Sequence, residues 1–558
     1  MGKRVLIVGG VAGGASCAAR VRRLDETAEI ILFERGAHVS FANCGLPYHV
    51  GDVIREADSL LVASPALFRD HFNIDVRVRH EVVEIKRSAQ RIRVRNLETG
   101  NEQDEHYDAL VLAPGATPIR IDCPGVDLPG VFTLRTIPDS VGIRAWIDER
   151  RPQRALVVGG GFIGLEVAEN LAHRGLAITL LERGSQIMPP LDPEMAWYVQ
   201  EHLESRSVEI RLEDALVELS QVDGHLVAQT ACGARLVTDM VVLAAGIRPE
   251  NTLAAAAGLP LGTAGSVVVD SAMRTADPHI WAVGDAVEVQ HVVTGQETIL
   301  PLAGPANRQG RIAAESICDR TSRFRGVQGT AVVGTFGLTV ACTGAPEKGL
   351  ARAGVSGYKS IYLHPGHHAS YFPGARPIHL KLSFDTASGR VLGAQAIGHE
   401  GVDKRIDVIA TAIQMGATVR DLAEAELCYA PQYGAAKDPV NIAGMIALNH
   451  MNGDLPLADW ATIDTGGICL VDVREPREYA AGHIAGARNL PFSSIRTRYH
   501  ELPRDIPLAL YCQVGQRAYY ATRFLLQQGF CSANLPGGYT TYLALTRVRS
   551  RTSGARPA

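Results

Sequence analysis

Short apolar runs followed by glycines mark the first half of the chain. Arg4-Val5-Leu6-Ile7-Val8 is one such run, and an unbroken apolar stretch of this length predicts a strand buried on both faces. It leads into Gly9-Gly10-Val11-Ala12-Gly13-Gly14 and then into an Ala- and Arg-rich stretch that reads as a helix. Ile30-Ile31-Leu32-Phe33 predicts the next strand, ending at Glu34. A strand, glycine turn, helix and strand in this order hold a dinucleotide: the turn lets a pyrophosphate approach the backbone, and the acid accepts hydrogen bonds from a ribose. Val11 stands where the usual fingerprint has its second glycine.

The pattern returns at Arg154. Ala155-Leu156-Val157-Val158 predicts a strand, Gly159-Gly160-Gly161-Phe162-Ile163-Gly164 is a complete fingerprint, and Ile178-Thr179-Leu180-Leu181 ends at Glu182. Two such units imply two nucleotides. A carboxylate at 182 repels a ribose 2′-phosphate, which favours NADH over NADPH; the adjacent Arg183 keeps NADPH possible. Two further strands end in tight turns, at Ala113-Pro114-Gly115 and at Ala244-Ala245-Gly246, and Ile280 to Ala282 runs to Gly284-Asp285. From about 325 to 446 a mixed sheet with helices is expected. A linker at 452–456 precedes a last domain, and the tail from Arg549 is expected to be disordered.

Length, charge and cysteine usage narrow the class. A chain of 558 residues exceeds one core and implies three or four domains. A net charge of −4 is no footprint for nucleic acid. Ten cysteines without a CxxC pair exclude a disulfide framework and a zinc pattern and fit a reducing compartment. No metal site is read. No apolar run approaches the ~20 residues of a membrane span. Met1 leads straight into a strand without a secretory pattern, so a cytoplasmic protein is expected.

Two cysteines carry the candidate chemistry. Cys44 lies in Ser40-Phe41-Ala42-Asn43-Cys44-Gly45-Leu46-Pro47-Tyr48, where a short helix is expected to begin and to stabilise a thiolate. Position 49 is His49, and no cysteine follows until Cys123, so Cys44 has no internal resolving partner. It can form a mixed disulfide with an external thiol, or cycle through a sulfenic acid as an oxidase or peroxidase. Cys512 follows the strand Leu508-Ala509-Leu510-Tyr511 and opens the loop Cys512-Gln513-Val514-Gly515-Gln516-Arg517. Backbone N–H groups of that loop, with Arg517, can stabilise a thiolate or persulfide. His483, in Gly482-His483-Ile484, reads as structural.

The two nucleotide units with Asp285 resemble the two-dinucleotide-binding flavoprotein disulfide reductases over residues 1–446. The stretch Asp472 to Tyr479, the Cys512 loop and Leu535-Pro536-Gly537-Gly538-Tyr539 resemble a rhodanese domain. Ser40–Tyr48, His367-His368-Ala369-Ser370-Tyr371-Phe372-Pro373-Gly374, and Tyr429-Ala430-Pro431-Gln432-Tyr433 followed by Lys437-Asp438-Pro439 resemble the coenzyme A-disulfide reductases. The whole chain resembles the fusions of the two, which include NADH-dependent persulfide and polysulfide reductases.

The resemblance implies an α/β protein: FAD-binding segments 1–118 and 243–322, an NAD(P)H-binding domain 119–242, a mixed α+β dimerisation domain 323–451 and a rhodanese domain 457–547. It implies FAD on Gly9, Gly13, Gly14, Glu34, Ala113, Gly115, Gly284 and Asp285, and NADH on Gly159, Gly161, Gly164 and Glu182. Cys44 and Cys512 are the reactive thiols, with Arg517 beside the latter. Tyr371 and Tyr429 border Cys44 from the partner subunit of a homodimer whose active sites lie at the interface. Coenzyme A falls to Ser16, Arg20, Arg23, Ser40, Asn43, Asn307 and Lys437, with added charge from Lys404 and Arg405. The expected activity is NAD(P)H-driven reduction of coenzyme A persulfide, polysulfide or coenzyme A disulfide. The rival is an NADH oxidase or peroxidase, and a non-enzymatic alternative is a sulfur sensor.

Overall fold

The computed structural model describes residues 2–463 and 466–552. The chain forms two compact units, one comprising the chain up to Gly184 with Ser207–Val327, the other Ser185–Arg206 with the chain from Gln328 onward.

The first unit contains two five-stranded parallel sheets. In one, Arg4–Val8 lies between Ala109–Leu112 and Glu29–Glu34, with Ile280–Ala282 and Asp75–Val78 at the edges. The other repeats the plan, with Arg154–Val158 between Met240–Leu243 and Ala177–Leu181. Both central strands are buried on both faces, because helices cover both sides of a parallel sheet. Val5, Leu6, Ile7, Ile31, Leu32 and Val111 lie at the centre of the first core. Each sheet has a three-stranded antiparallel companion, 80–106 in the first and 216–238 in the second.

The second unit contains two further sheets. Residues 331–398 form five strands, and every neighbouring pair is antiparallel. The mixed sheet expected here is therefore corrected: two hairpins, 331–344 and 378–398, and the return of 391–398 in the opposite direction beside 338–344 leave no parallel pair. The second sheet is parallel, in the order Arg488–Asn489, Cys469–Asp472, Leu508–Tyr511 and Ser532–Asn534. The last helix runs from Gly538 to Thr552. Residues 549–552 are thus helical, contrary to the expected disorder, and the rest of that tail lies outside the described residues. No described helix is long and apolar enough to cross a membrane.

Candidate functional site

The two glycine turns are built alike. Gly9 has φ +95° and Gly159 φ +116°, a left-handed conformation that favours glycine. A Cβ on Gly14 would lie 1.9 Å from the Gly9 carbonyl oxygen, and one on Gly164 would lie 1.9 Å from that of Gly159, so neither position admits a larger residue. The middle position differs. A Cβ on Gly161 would meet no protein atom within 4 Å, which explains why Val11 is tolerated at the matching place in the first turn. Both Val11 and Gly161 are the residues at which their helices, Ala12–Leu24 and Phe162–His173, begin.

The two acids are also alike. Glu34 accepts hydrogen bonds from the N–H groups of Gly10 at 3.0 Å and Gly36 at 2.8 Å. Glu182 accepts from Gly160 at 2.7 Å and Gly184 at 2.6 Å. Each carboxylate is thereby fixed at the end of its strand with lone pairs left for a ribose. Ala113 and Gly115 form the turn opposite Gly9, where the Ala113 carbonyl oxygen lies 2.1 Å from a Cβ built on Gly9. Gly284 donates to the Gln309 side chain at 2.7 Å, and Asp285 pairs with Arg135 at 3.2 Å. These groups fit FAD on the first turn and a nicotinamide dinucleotide on the second: glycine turns for pyrophosphate, acids for ribose, and Asp285 for the ribityl chain.

Cys44 lies in a 3₁₀ turn, Asn43–Gly45, that leads into the short helix Leu46–Val50. It is exposed, and its S–H donates to the Asn43 side-chain oxygen at 3.7 Å. Although its surface is open to solvent, the surrounding protein partly desolvates the sulfur, and this, then the Glu166 and Asp285 carboxylates, pushes the thiol above its ordinary range against the opposing pull of Arg135. The expected thiolate is therefore corrected for the protein alone: a five-residue helix exerts a weak dipole, and desolvation together with two nearby acids outweighs it. Tyr48 donates to Glu166 at 3.2 Å. Burial raises Glu166 to about 7, although Tyr48 opposes the rise. His49 is 3% exposed, with Nδ1 3.0 Å from the Ser140 hydroxyl, so the position five residues after Cys44 is structural.

Ser16 donates to Asn307 at 2.6 Å across the packed helices Ala12–Leu24 and Ala303–Ile317. One turn on, Arg20 pairs with Glu315 at 2.6 Å. Arg23 is exposed, whereas Arg22 is buried and donates to five backbone carbonyls. Ser40 adopts φ +48° and accepts at its carbonyl from Val62.

In the second unit, the hydroxyls of Tyr371 and Tyr429 lie 2.5 Å apart, and both side chains are exposed. Lys437 is exposed and Lys404 half-buried. Arg405 is different. It is 1% exposed, pairs with Asp438 at 2.8 Å and donates to the carbonyls of His367 and Gly401. It is removed from the candidate ligand set, because its charge is already buried and compensated.

Cys512 caps the strand Leu508–Tyr511 and is 1% exposed. The Gly515 N–H donates to its Sγ at 3.2 Å. Arg517, in the first turn of Gln516–Gln527, donates both terminal nitrogens to Glu478 at 2.7 Å each. His483 stacks on Tyr479 and bonds to its carbonyl oxygen, as a structural residue would. Arg135, Glu166 and Glu478 were not legible as site residues. Only Glu478 lies within a motif, the stretch Asp472 to Tyr479, and no spacing rule links any of the three to the groups they touch.

Two dinucleotide folds, a lone thiol after the first, and a parallel sheet ending in a second cysteine-bearing loop define a two-nucleotide oxidoreductase with an appended sulfur-transfer fold. Family models match in that order: "Pyridine nucleotide-disulphide oxidoreductase" over residues 3–310, its dimerisation domain over 330–438, and "Rhodanese-like domain" over 459–545. The chain belongs to the pyridine nucleotide-disulphide oxidoreductase family. It is 37% identical over 442 residues to a coenzyme A disulfide reductase of Staphylococcus epidermidis, covering 79% of this chain and 99% of that protein. The crystal structure of reduced Bacillus anthracis CoADR-RHD matches with a TM-score of 0.96 and 46% identity, covering 98% of this chain and 99% of the other. A NAD-dependent persulfide reductase from A. fulgidus matches with a TM-score of 0.89 and 36% identity, over 97% and 100% of the two chains.

Proposed function

We propose that this protein is an FAD- and NADH-dependent reductase of coenzyme A disulfide and coenzyme A persulfide, with a rhodanese domain that handles sulfane sulfur. The observation that carries the reading is the solitary Cys44 in the turn after the FAD fold, with buried His49 where a resolving thiol would stand. The second thiol must then come with the substrate. The names of the relatives and the shared rhodanese domain support this choice.

FAD, when bound, supplies a two-electron carrier between NADH and the Cys44 sulfur. Gly159, Gly161, Gly164 and Glu182 hold the NADH, and Glu182 favours it over NADPH. Ser16, Arg23, Ser40, Asn43 and Asn307 hold coenzyme A, with Arg20 set by Glu315. The Cys44 thiolate attacks a sulfur of the bound substrate. On coenzyme A disulfide, one coenzyme A thiolate leaves and a mixed disulfide remains on Cys44. On the persulfide, attack at the inner sulfur releases hydrosulfide, and attack at the outer sulfur releases coenzyme A thiolate. Two electrons then return Cys44 to the thiolate. Tyr371 and Tyr429 of the partner subunit donate hydrogen bonds to the leaving sulfur. Cys512 carries a sulfane sulfur, and Arg517 lies beside it.

Cys44→Ser is expected to abolish NADH-driven reduction of coenzyme A disulfide and persulfide while FAD stays bound. Full activity in that variant would refute the mechanism. Comparing NADH consumption with oxygen, peroxide and coenzyme A disulfide separates it from an oxidase or peroxidase.

A further inference from the structure

The charge that meets an incoming sulfur donor at Cys512 is set by two guanidinium groups. Arg517 lies two residues past Gly515, whose N–H bonds to the Cys512 sulfur, and both terminal nitrogens of Arg517 bond to Glu478. Arg474 is buried and reaches the loop through Gln513 at 3.3 Å. Its charge is taken by Asp472, with contacts at 3.0, 3.0 and 2.7 Å, and it also donates to the Gly482 carbonyl at 2.6 Å. Its face lies over the Tyr539 ring at 4.2 Å. Each cation therefore has its own carboxylate. Arg517, the largest influence, draws Glu478 down to about 2, so Glu478 keeps its negative charge at any working pH. Gln513, Val514 and Gln516, the other loop side chains, are uncharged.

Sulfur donors differ in the charge they bring. Thiosulfate arrives as a dianion and leaves as sulfite, so it needs an uncompensated cation near the sulfur. A thiol persulfide brings at most one charge to the sulfur and leaves as a thiolate.

We infer that Cys512 loads from a thiol persulfide and discriminates against thiosulfate, because Glu478 and Asp472 neutralise both guanidinium groups at its loop. This rests on the reading of Cys512 as a sulfur carrier and names its donor. In the step, the Cys512 thiolate attacks the outer sulfur of R–S–SH. The bond from Sγ to that sulfur forms as the R–S–S bond breaks, and the electron pair leaves on the R–S thiolate. Cys512 then carries –S–SH, and no oxidant or reductant is consumed. Glu478 is the specificity-determining residue: it touches Arg517 and withholds that charge from an anion.

The test uses the full-length flavoprotein carrying Cys44→Ser, without NADH, mixed with glutathione persulfide or with thiosulfate. Loading of Cys512 is followed by peptide mass spectrometry as the addition of one sulfur. Glutathione persulfide is expected to load Cys512 on the order of 100-fold faster than thiosulfate, and adding Glu478→Gln, which frees Arg517, is expected to narrow that ratio about 10-fold. Equal rates, or faster loading by thiosulfate, would overturn the inference and leave the carrier role standing. An unchanged ratio in the folded Glu478→Gln variant would overturn the role of Glu478. Loading by neither donor would overturn the carrier reading itself.

Discussion

Glu166 and Cys44 share a field in which both prefer to keep their protons. For Glu166 this has a consequence for stability. Its folded value of about 7 lies above the ordinary 4.5, so the native state holds a proton that the unfolded chain releases between those values. The associated stability is fully present below the unfolded value and is lost as pH rises through the folded one. Glu166→Gln cannot release a proton. Its stability relative to the parent should therefore rise from about pH 5 to about pH 8, by ~1–2 kcal/mol after discounting for partial exposure. Urea unfolding of the two proteins at both pH values measures this. Arg405 teaches a related point. In sequence it is a cation beside Lys404; in the fold it is one half of a buried pair with Asp438.

At the scale of elements, one buried ion cluster joins a helix to a sheet. Lys381, on the strand Ile378–Asp385, is 1% exposed and contacts Asp192 at 2.8 Å, Glu194 at 2.5 Å and Glu347 at 2.7 Å. Asp192 precedes the helix Pro193–Ser205, and it also accepts from Gln395 at 2.6 Å on the neighbouring strand. This ties Ser185–Arg206 into the second unit rather than the first. Removing the ammonium leaves three carboxylates facing one another. Lys381→Met is expected to cost about 3–5 kcal/mol, the usual result of stripping one partner from a buried ion group. Chemical denaturation of the purified variant gives that figure directly, and a loss below ~1 kcal/mol would contradict the account.

At the scale of the molecule, the dimerisation domain points to a homodimer. The two tyrosine hydroxyls that bond to each other are exposed within their own unit. If they serve the cysteine of the partner, two defective subunits can repair each other. Cys44→Ser and the double variant Tyr371→Phe/Tyr429→Phe should each be nearly inactive. Co-expressed, they should regain roughly a quarter of the parent activity, since half of randomly paired symmetric dimers hold one intact site in two. Activity that stays at the level of the separate variants would place the tyrosines elsewhere.

The amino-acid order alone determined the two nucleotide folds, made the resemblance of the last domain to rhodanese visible, and singled out Cys44 and Cys512 as candidate thiols. These depend on local features: short apolar runs, glycine turns and an acid at a strand end act over a few tens of residues. It also revealed that Cys44 lacks a neighbouring cysteine, because a missing residue type is visible without any coordinates. What tertiary structure decided was charge. Arg20, Arg405 and Arg517 are alike in sequence, but each is paired with an acid 33 to 295 residues away. Whether a cation remains free for a ligand depends on that distant partner, and the protonation of Cys44 likewise depends on desolvation by its surroundings and on Glu166 and Asp285. The antiparallel dimerisation sheet belongs with these, since strand pairing is settled by register between segments rather than by the pattern within one.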